Sequence, residues 1–207
     1  MVEFTGAPTL THHATNLPLP NNANIVVEAG DKAIFARRGS AGSAQWDLIS
    51  YLRKSGLALG SPKTYIATNS TYSTGTSAIP TDGTVPQSSE GTEILTTTFT
   101  PSPGTKRLKI SANTNVNIGS TGAYGALAIF TNDSASALNA RGFSTVNASN
   151  NTFGIGCDAI YTLPDLGSIT ISARIGCSGT WRVNGDSTGT MFGAAGVSTL
   201  IVEELMD

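Results

Sequence analysis

Charge is scarce in this sequence. Only 13% of its 207 residues are charged, with 12 Lys and Arg against 14 Asp and Glu, for a formal net charge of −2. An ordinary soluble domain carries roughly 25%. Without a basic field to neutralise phosphates, a nucleic-acid partner is excluded. No apolar run approaches the roughly 20 residues of a membrane span. The opening MVEFTGAPTL has neither the basic nor the apolar part of a secretory leader, so neither membrane insertion nor export by a leader is expected. Cysteine is almost absent: Cys157 and Cys177 are the only two, which excludes a disulfide scaffold. Both fall on expected strands and read as buried free thiols in preference to a bridge. The only histidines, His12 and His13, are neighbours whose side chains diverge in an extended chain, so they are poor joint ligands. There is no C-x-x-C, no EF-hand acidic loop and no Gly-rich loop ending in Lys. No metal and no cofactor is expected.

Ser, Thr, Asn, Gly and Ala fill the space that charge leaves, and the order they impose is that of a β protein. Residues 168–175 alternate, with Ile169, Ile171, Ala173 and Ile175 on one face and Thr170, Ser172 and Arg174 on the other. That period of two marks a half-buried strand. Residues 181–183 and 197–203 repeat it, and Asn184-Gly185 between them has the residues of a type I′ hairpin turn. Further strands are expected over 92–100, 106–116, 123–131, 138–143 and 153–163. The nearly continuous apolar run 123–131 implies burial on both faces. Strands at this spacing with Gly-rich turns point to a sandwich or jelly roll.

Upstream, residues 1–60 read as a small β module with strands at 24–28, 32–37 and 45–53, the last having helix as a minor alternative for want of a clear cap. Three short strands bury little surface, so the module calls for a neighbour. Residues 61–91 are rich in Ser, Thr, Pro and Gly and carry no apolar period. They are expected to be an extended arm along another subunit, or a flexible tether. The domains are therefore 1–60, 61–91 and 92–207, all-β throughout.

Catalytic chemistry finds little support. Residues 185–189 (GDSTG) look superficially like a serine-protease nucleophile loop, yet no histidine segment suits a general base, and a turn explains the motif. A glycan-degrading enzyme needs two carboxylates about 5–10 Å apart; Asp158 and Asp165 lie near expected strands, but nothing aligns them. Aromatics are better candidates for contact with a ligand. Tyr65, Tyr72, Tyr124 and Trp181 have rings that stack on sugars, although Trp181 on an alternating strand reads more readily as core. In the first module Ile25, Phe35 and Trp46 are apolar residues in need of a partner surface. Arg37 and Arg38 add to a basic surplus suited to an acidic protein face.

The first module contains Leu19-Pro20 to Asn24-Ile25, Gly30-Asp31 to Phe35, Trp46, and Tyr51 to Gly56. In these it resembles a β module of tailed-bacteriophage tail-fibre and other virion proteins, with an enlarged loop at 39–44 as the departure. Ile79-Pro80, Pro86-Gln87 and Glu90-Gly91-Thr92-Glu93 resemble the lead-in to a C-terminal virion domain, and 179–185 with 192–204 resemble its close. The resemblance implies a jelly roll of the trimeric tumour-necrosis-factor or C1q kind. It further implies a non-enzymatic virion protein, assembled in the host cytoplasm. The leading expectation is a homotrimeric tail fibre or receptor-binding tip touching a host glycan or protein, with other virion proteins as partners. A capsid decoration protein or head fibre is the alternative. On this reading residues 1–60 attach to the particle and 92–207 are displayed.

Overall fold

The computed structural model describes residues 1–19, 24–38, 45–54, 62–102, 105–145 and 150–206. The 39–44 loop, Pro20 and Gly56 lie outside these. The chain forms two compact units, Met1–Pro62 with Ser102–Thr105, and Lys63–Pro101 with Lys106–Met206.

The first unit contains β1 (Val2–Glu3), β2 (Thr9–Leu10), β3 (Ile25–Val26), β4 (Lys32–Arg38) and β5 (Gln45–Leu52). They make a three-stranded sheet in the order β1-β4-β5 and a small ladder of β2 with β3. Residues 45–52 are strand, as the alternation implied. Leu19, Ile25, Val27, Ala33 and Tyr51 form its core.

Such a small core is pinned by polar contacts. Asp31 has no exposed surface. Its carboxylate accepts the Tyr51 hydroxyl at 2.5 Å, the Glu28 N–H at 2.9 Å and the Lys54 N–H at 2.8 Å, and the Arg53 guanidinium stands 3.6 Å away. The preceding Gly30 sits at φ 95°, a conformation that glycine adopts at little cost. Gly30, Asp31 and Tyr51 thus hold the module together.

The second unit contains β6 (Thr64–Asn69), β7 (Ser73–Gly75), β8 (Thr92–Phe99), β9 (Thr105–Ile118), β10 (Tyr124–Thr131), β11 (Asn139–Ser144), β12 (Asn151–Thr162), β13 (Ile169–Cys177), β14 (Trp181–Val183), β15 (Gly185–Asp186), β16 (Gly189–Thr190) and β17 (Ser198–Met206). Every strand expected between residues 92 and 207 is present. One sheet runs β11-β10-β13-β8; the other runs β6-β17-β9-β14-β7, with β12 on β9. Taking β6, β8, β9, β10, β11, β12, β13 and β17 as strands one to eight, the first pairs with the eighth, the second with the seventh, the third with the sixth and the fourth with the fifth, all antiparallel. That is a long hairpin rolled up on itself, a jelly roll. Between the sheets lies a core that includes Leu108, Ile110, Val116, Leu127, Ile129, Ile171, Ile175, Trp181 and Leu200.

The structure corrects the reading of residues 61–91 as an arm or tether. From Lys63 onward they belong to the jelly-roll unit. β6 pairs with β17 and β7 with β14. The following segment crosses the outside of β10 and β13, where Ile79 packs on Ala126, Ala128 and Phe130. This explains the double-sided apolar run: Leu127 and Ile129 face the inner core while their neighbours face Ile79. Gly176 makes the crossing possible, since a Cβ there would stand 2.5 Å from the Ile79 nitrogen. Arg174 clamps the segment by donating to the carbonyls of Glu90 at 2.8 Å and Gly91 at 3.1 Å.

Asn184-Gly185 is a second correction. Asn184 has the expected left-handed backbone, φ 58°, but the hairpin turn lies further on, between Asp186 and Gly189. There Asp186 Oδ1 accepts the Thr188 N–H at 2.7 Å. Asn184 is instead buried and bridges strands. Its Nδ2 donates to Asn69 O at 2.7 Å, and its Oδ1 accepts Ser198 Oγ at 2.9 Å. Ser198 Oγ, its own proton given to Asn184, in turn accepts from Thr114 Oγ1 at 2.7 Å. We predict that Asn184→Gly, which leaves the backbone free, still lowers stability by about 1–3 kcal/mol, because buried partners lose their hydrogen bonds. Urea denaturation of the variant checks this; a change below about 0.5 kcal/mol would assign the role of Asn184 to its backbone alone.

Candidate functional sites

The residues proposed for docking part company in the structure. Ile25 is 5% exposed and belongs to the core of the first unit, so it is not a contact residue. Phe35, Arg37, Arg38 and Trp46 do share one sheet. In the β4–β5 register Phe35 lies opposite Leu48, and Arg37 opposite Trp46, which sets Phe35, Leu48, Arg37 and Trp46 on one face and Arg38 on the other, because the pleat repeats every second residue. Arg37 and Arg38 are exposed, and Arg38 pairs with Asp47 at 3.0 Å. Trp46 is 44% exposed. Phe35 and Trp46 line a mostly apolar groove of about 480 Å³ with Met1, Val2, Asn16 and Leu17. An indole left this open beside other apolar side chains marks a contact surface.

The four aromatic candidates of the second unit do not come together. Trp181 is 1% exposed and is core; its Nε1 donates to Ser77 O at 3.1 Å, and its ring covers Gly75, where a Cβ has no room. Tyr65 is half-buried, stacks on Phe99 with ring centres 3.9 Å apart, and donates its hydroxyl to Glu204 Oε1 at 3.0 Å. Burial and the Glu204 carboxylate push its phenol well above the ordinary range. Tyr72 packs over Gly185. Only Tyr124, 55% exposed, keeps its ring in solvent.

A polar groove that sequence reasoning did not find lies between the edge strands β11 and β12. It encloses about 440 Å³ and is lined by Arg141, Gly142, Phe143, Phe153, Gly154, Ile155, Gly156 and Asp158. Phe143 and Phe153 meet edge-on at 5.4 Å. Asn139 Nδ2 reaches across to Asp158 O at 2.6 Å. The signal in the sequence was Gly154-Ile155-Gly156, two glycines at strand spacing, which often marks close approach to a strand. The groove presents one cationic and one anionic side chain beside two aromatic rings, a surface suited to polar contact.

The remaining chemistry-bearing residues have structural work. His12 Nδ1 accepts the Leu19 N–H at 3.0 Å, and His13 Nδ1 accepts the Asn16 N–H at 3.1 Å, so both imidazoles order the chain around them. Asp165 accepts the Gly167 N–H at 2.7 Å within its own turn. Cys157 and Cys177 are buried and free. Burial, followed by the Asp158 charge, pushes the Cys157 thiol up to about 11, which leaves it protonated and unreactive at neutral pH. No group of three His, Cys, Asp or Glu side chains suited to a metal occurs among the described residues.

No protein-family model and no curated protein matches this sequence. Among solved structures, a T13 particle of infectious bursal disease virus is similar with a TM-score of 0.34 and 10% identity, over 95% of this chain and 43% of that one. The Gx strain of the same virus gives 0.33 and 12%, over 85% and 42%. Dimeric latent PorU of Porphyromonas gingivalis gives 0.38 and 9%, over 99% and 20%. This chain therefore spans less than half of each of these proteins, and likenesses this distant carry no functional argument.

Proposed function

We propose that this chain is a non-enzymatic structural protein of a tailed-phage virion, a homotrimeric tail fibre or receptor-binding tip. On this reading the first unit attaches it to the particle and the jelly roll is displayed. The observation that carries the proposal is the contrast between two surfaces. The first unit leaves Trp46 and Phe35 in an apolar groove, with Arg37 on the same sheet face, which suits docking to another protein.

The jelly roll offers a face of a different kind. On the outside of its six-stranded sheet stand Ile66 and Thr68 of β6, Thr199 and Ile201 of β17, Ser111, Asn113 and Asn115 of β9, and Gly154 and Gly156 of β12. Ile66, 62% exposed, lies opposite Ile201. Charge on this face includes Lys109 and Glu203, which pair at 2.9 Å, and Asp158, which lies opposite Ser111. A cyclic oligomer brings one patch of every copy to the same axis, so repeated charges would meet one another there. The stretch of this face that holds Ile66, Thr68, Thr199, Ile201, Asn113 and Asn115 carries no charge, avoids that cost and fits self-association. Three identical tips then bind a host glycan or protein with avidity even where each contact is weak.

Two measurements test this. Mass photometry of the full chain is expected to show a trimer, and Ile66→Glu with Ile201→Glu to convert it to monomer by setting carboxylates against each other; an unchanged trimer would move the interface elsewhere, and a wild-type monomer would end the proposal. Deleting residues 1–62 is expected to leave a soluble jelly roll that no longer enters particles. Normal incorporation of the truncated chain would place the anchor outside the first unit. Electron microscopy of labelled particles separates tail from capsid.

A further inference from the structure

We infer that the groove between β11 and β12 is a saccharide site that takes a neutral sugar of a glycan. This rests on the reading of the jelly roll as the displayed, receptor-binding unit, and it supplies the place and chemical class of the ligand. Both strands are edges: among the described residues β11 pairs with β10 and β12 with β9, each on one side only. An antiparallel strand turns the N–H and C=O of alternate residues away from its neighbour. Asn139 shows which residues these are. Its Oδ1 accepts the Ala140 N–H at 2.9 Å, and its Nδ2 donates to Asp158 O at 2.6 Å. Ala140 and Asp158 therefore point their backbone groups away from β10 and β9. No register shift interrupts either ladder, so Gly142, Gly154 and Gly156, at steps of two, do the same. All three glycines line the groove, which thus offers backbone donors and acceptors from two sides.

Packing does not call for two of these glycines. Glycine in a strand interior weakens the strand. A Cβ at Gly142 would meet nothing nearer than Gly125 O at 3.8 Å, and one at Gly154 nothing nearer than Asn115 Oδ1 at 3.6 Å. Both are ordinary contacts. Only Gly156 is required by its own fold, with Asn113 Oδ1 2.5 Å from the Cβ position. What Gly142 and Gly154 provide is close approach to the backbone, which is how a strand glycine serves a ligand.

Width, charge and size select the occupant. Cα atoms of β11 and β12 come within 8 Å of each other, and the single Asn139 amide spans the gap. A strand laid between them would need roughly 9.5 Å, twice the usual spacing, so an extended peptide does not fit. Arg141 and Asp158 stand exposed at the groove, and no ion pair engages either among the described residues. An anion would meet Asp158 and a cation would meet Arg141. A neutral ligand rich in hydroxyls donates to the one and accepts from the other. The half-buried rings of Phe143 and Phe153 give its C–H surface an apolar contact. The volume of about 440 Å³ is that of a small-ligand site. β9 and β17 lie between β12 and β6, so association about Ile66 and Ile201 does not call on this edge.

Saturation-transfer NMR of the full chain with neutral disaccharides of glucose, galactose, mannose and N-acetylglucosamine tests this. Transfer to one or more of them is expected, with the largest amide shifts of the isotope-labelled chain at Gly142, Gly154 and Gly156. Arg141→Ala and Asp158→Ala, both at exposed sites, should each weaken binding about tenfold, the scale of a hydrogen bond to a charged group, and leave thermal unfolding unchanged. No transfer to any of the four, shifts centred elsewhere, or undiminished binding by both variants would overturn the inference. Tighter binding of N-acetylneuraminic acid or of glucosamine would overturn the neutral class. An alternating Val–Thr peptide that shifts the same glycines would make the groove a strand acceptor and overturn it too. A trimer that enters particles yet binds no sugar ends this inference alone, and a monomer that binds sugar at these glycines ends the trimer alone, so the two failures are distinguishable.

Discussion

Trp181→Ala is expected to destabilise the jelly-roll unit by about 3–5 kcal/mol, the usual cost of removing a large buried ring. The effect should sit at the upper end because the indole does more than fill space. Its ring lies on Gly75, its Nε1 holds Ser77 O, and its own carbonyl accepts Thr74 Oγ1 at 3.0 Å. These contacts tie residues 74–77 to β14 and, through β14, to β9. Losing them frees the start of the segment that carries Ile79 over the outer face of β10. Thermal unfolding followed by circular dichroism should show a midpoint lower by on the order of 10 °C. Trp181→Phe keeps most of the ring but forfeits the bond to Ser77, which predicts a smaller loss of about 1 kcal/mol. A near-neutral Trp181→Ala would show that the segment is held by Ile79 and Arg174 alone.

Asp31→Ala is expected to cost the first unit about 3–5 kcal/mol, because it leaves three donors and the partly buried Arg53 without their acceptor. Against a core of five buried apolar residues among those described, that loss should unfold the unit while the jelly roll remains. Limited proteolysis of the full chain reads this directly, with cleavage confined to residues before the jelly roll. The same network predicts acid sensitivity. Burial alone would raise the Asp31 carboxyl; the hydrogen bonds from Tyr51, Glu28 and Lys54, with the Arg53 charge, outweigh it and hold the group below its ordinary value. A depressed folded-state pKa means the stabilisation is complete above the unfolded value of about 3.9 and is lost as pH falls from there towards the folded pKa. The first unit should therefore loosen below about pH 4, and Asp31→Asn should remove that dependence. An acid transition unchanged in Asp31→Asn would assign it to another carboxylate.

The period-two patterns in the sequence determined the strands, since a side chain on a pleated strand has only two faces and burial of one writes itself as alternation. They located β8 to β14 and β17 closely, and the apolar run at 124–131 announced a strand covered on both sides. The left-handed backbone at Asn184 and the burial of both cysteines were also legible, because they follow from residue chemistry. What the patterns could not supply is which distant element covers which face. Residues 63–91 show no apolar period because their work is done by single residues, Ile79 above all, and by backbone carbonyls that accept from Arg174 and Trp181. Composition therefore resembled a tether where tertiary contacts made strands and a cover. Trp181 and Ile25 passed from candidate contacts to core, and Trp46 remained open, for the same reason: alternation reveals that a face is apolar, and only long-range packing decides whether the protein itself covers it. The groove between β11 and β12 arose likewise, from two edge strands that follow one another in sequence but belong to opposite sheets.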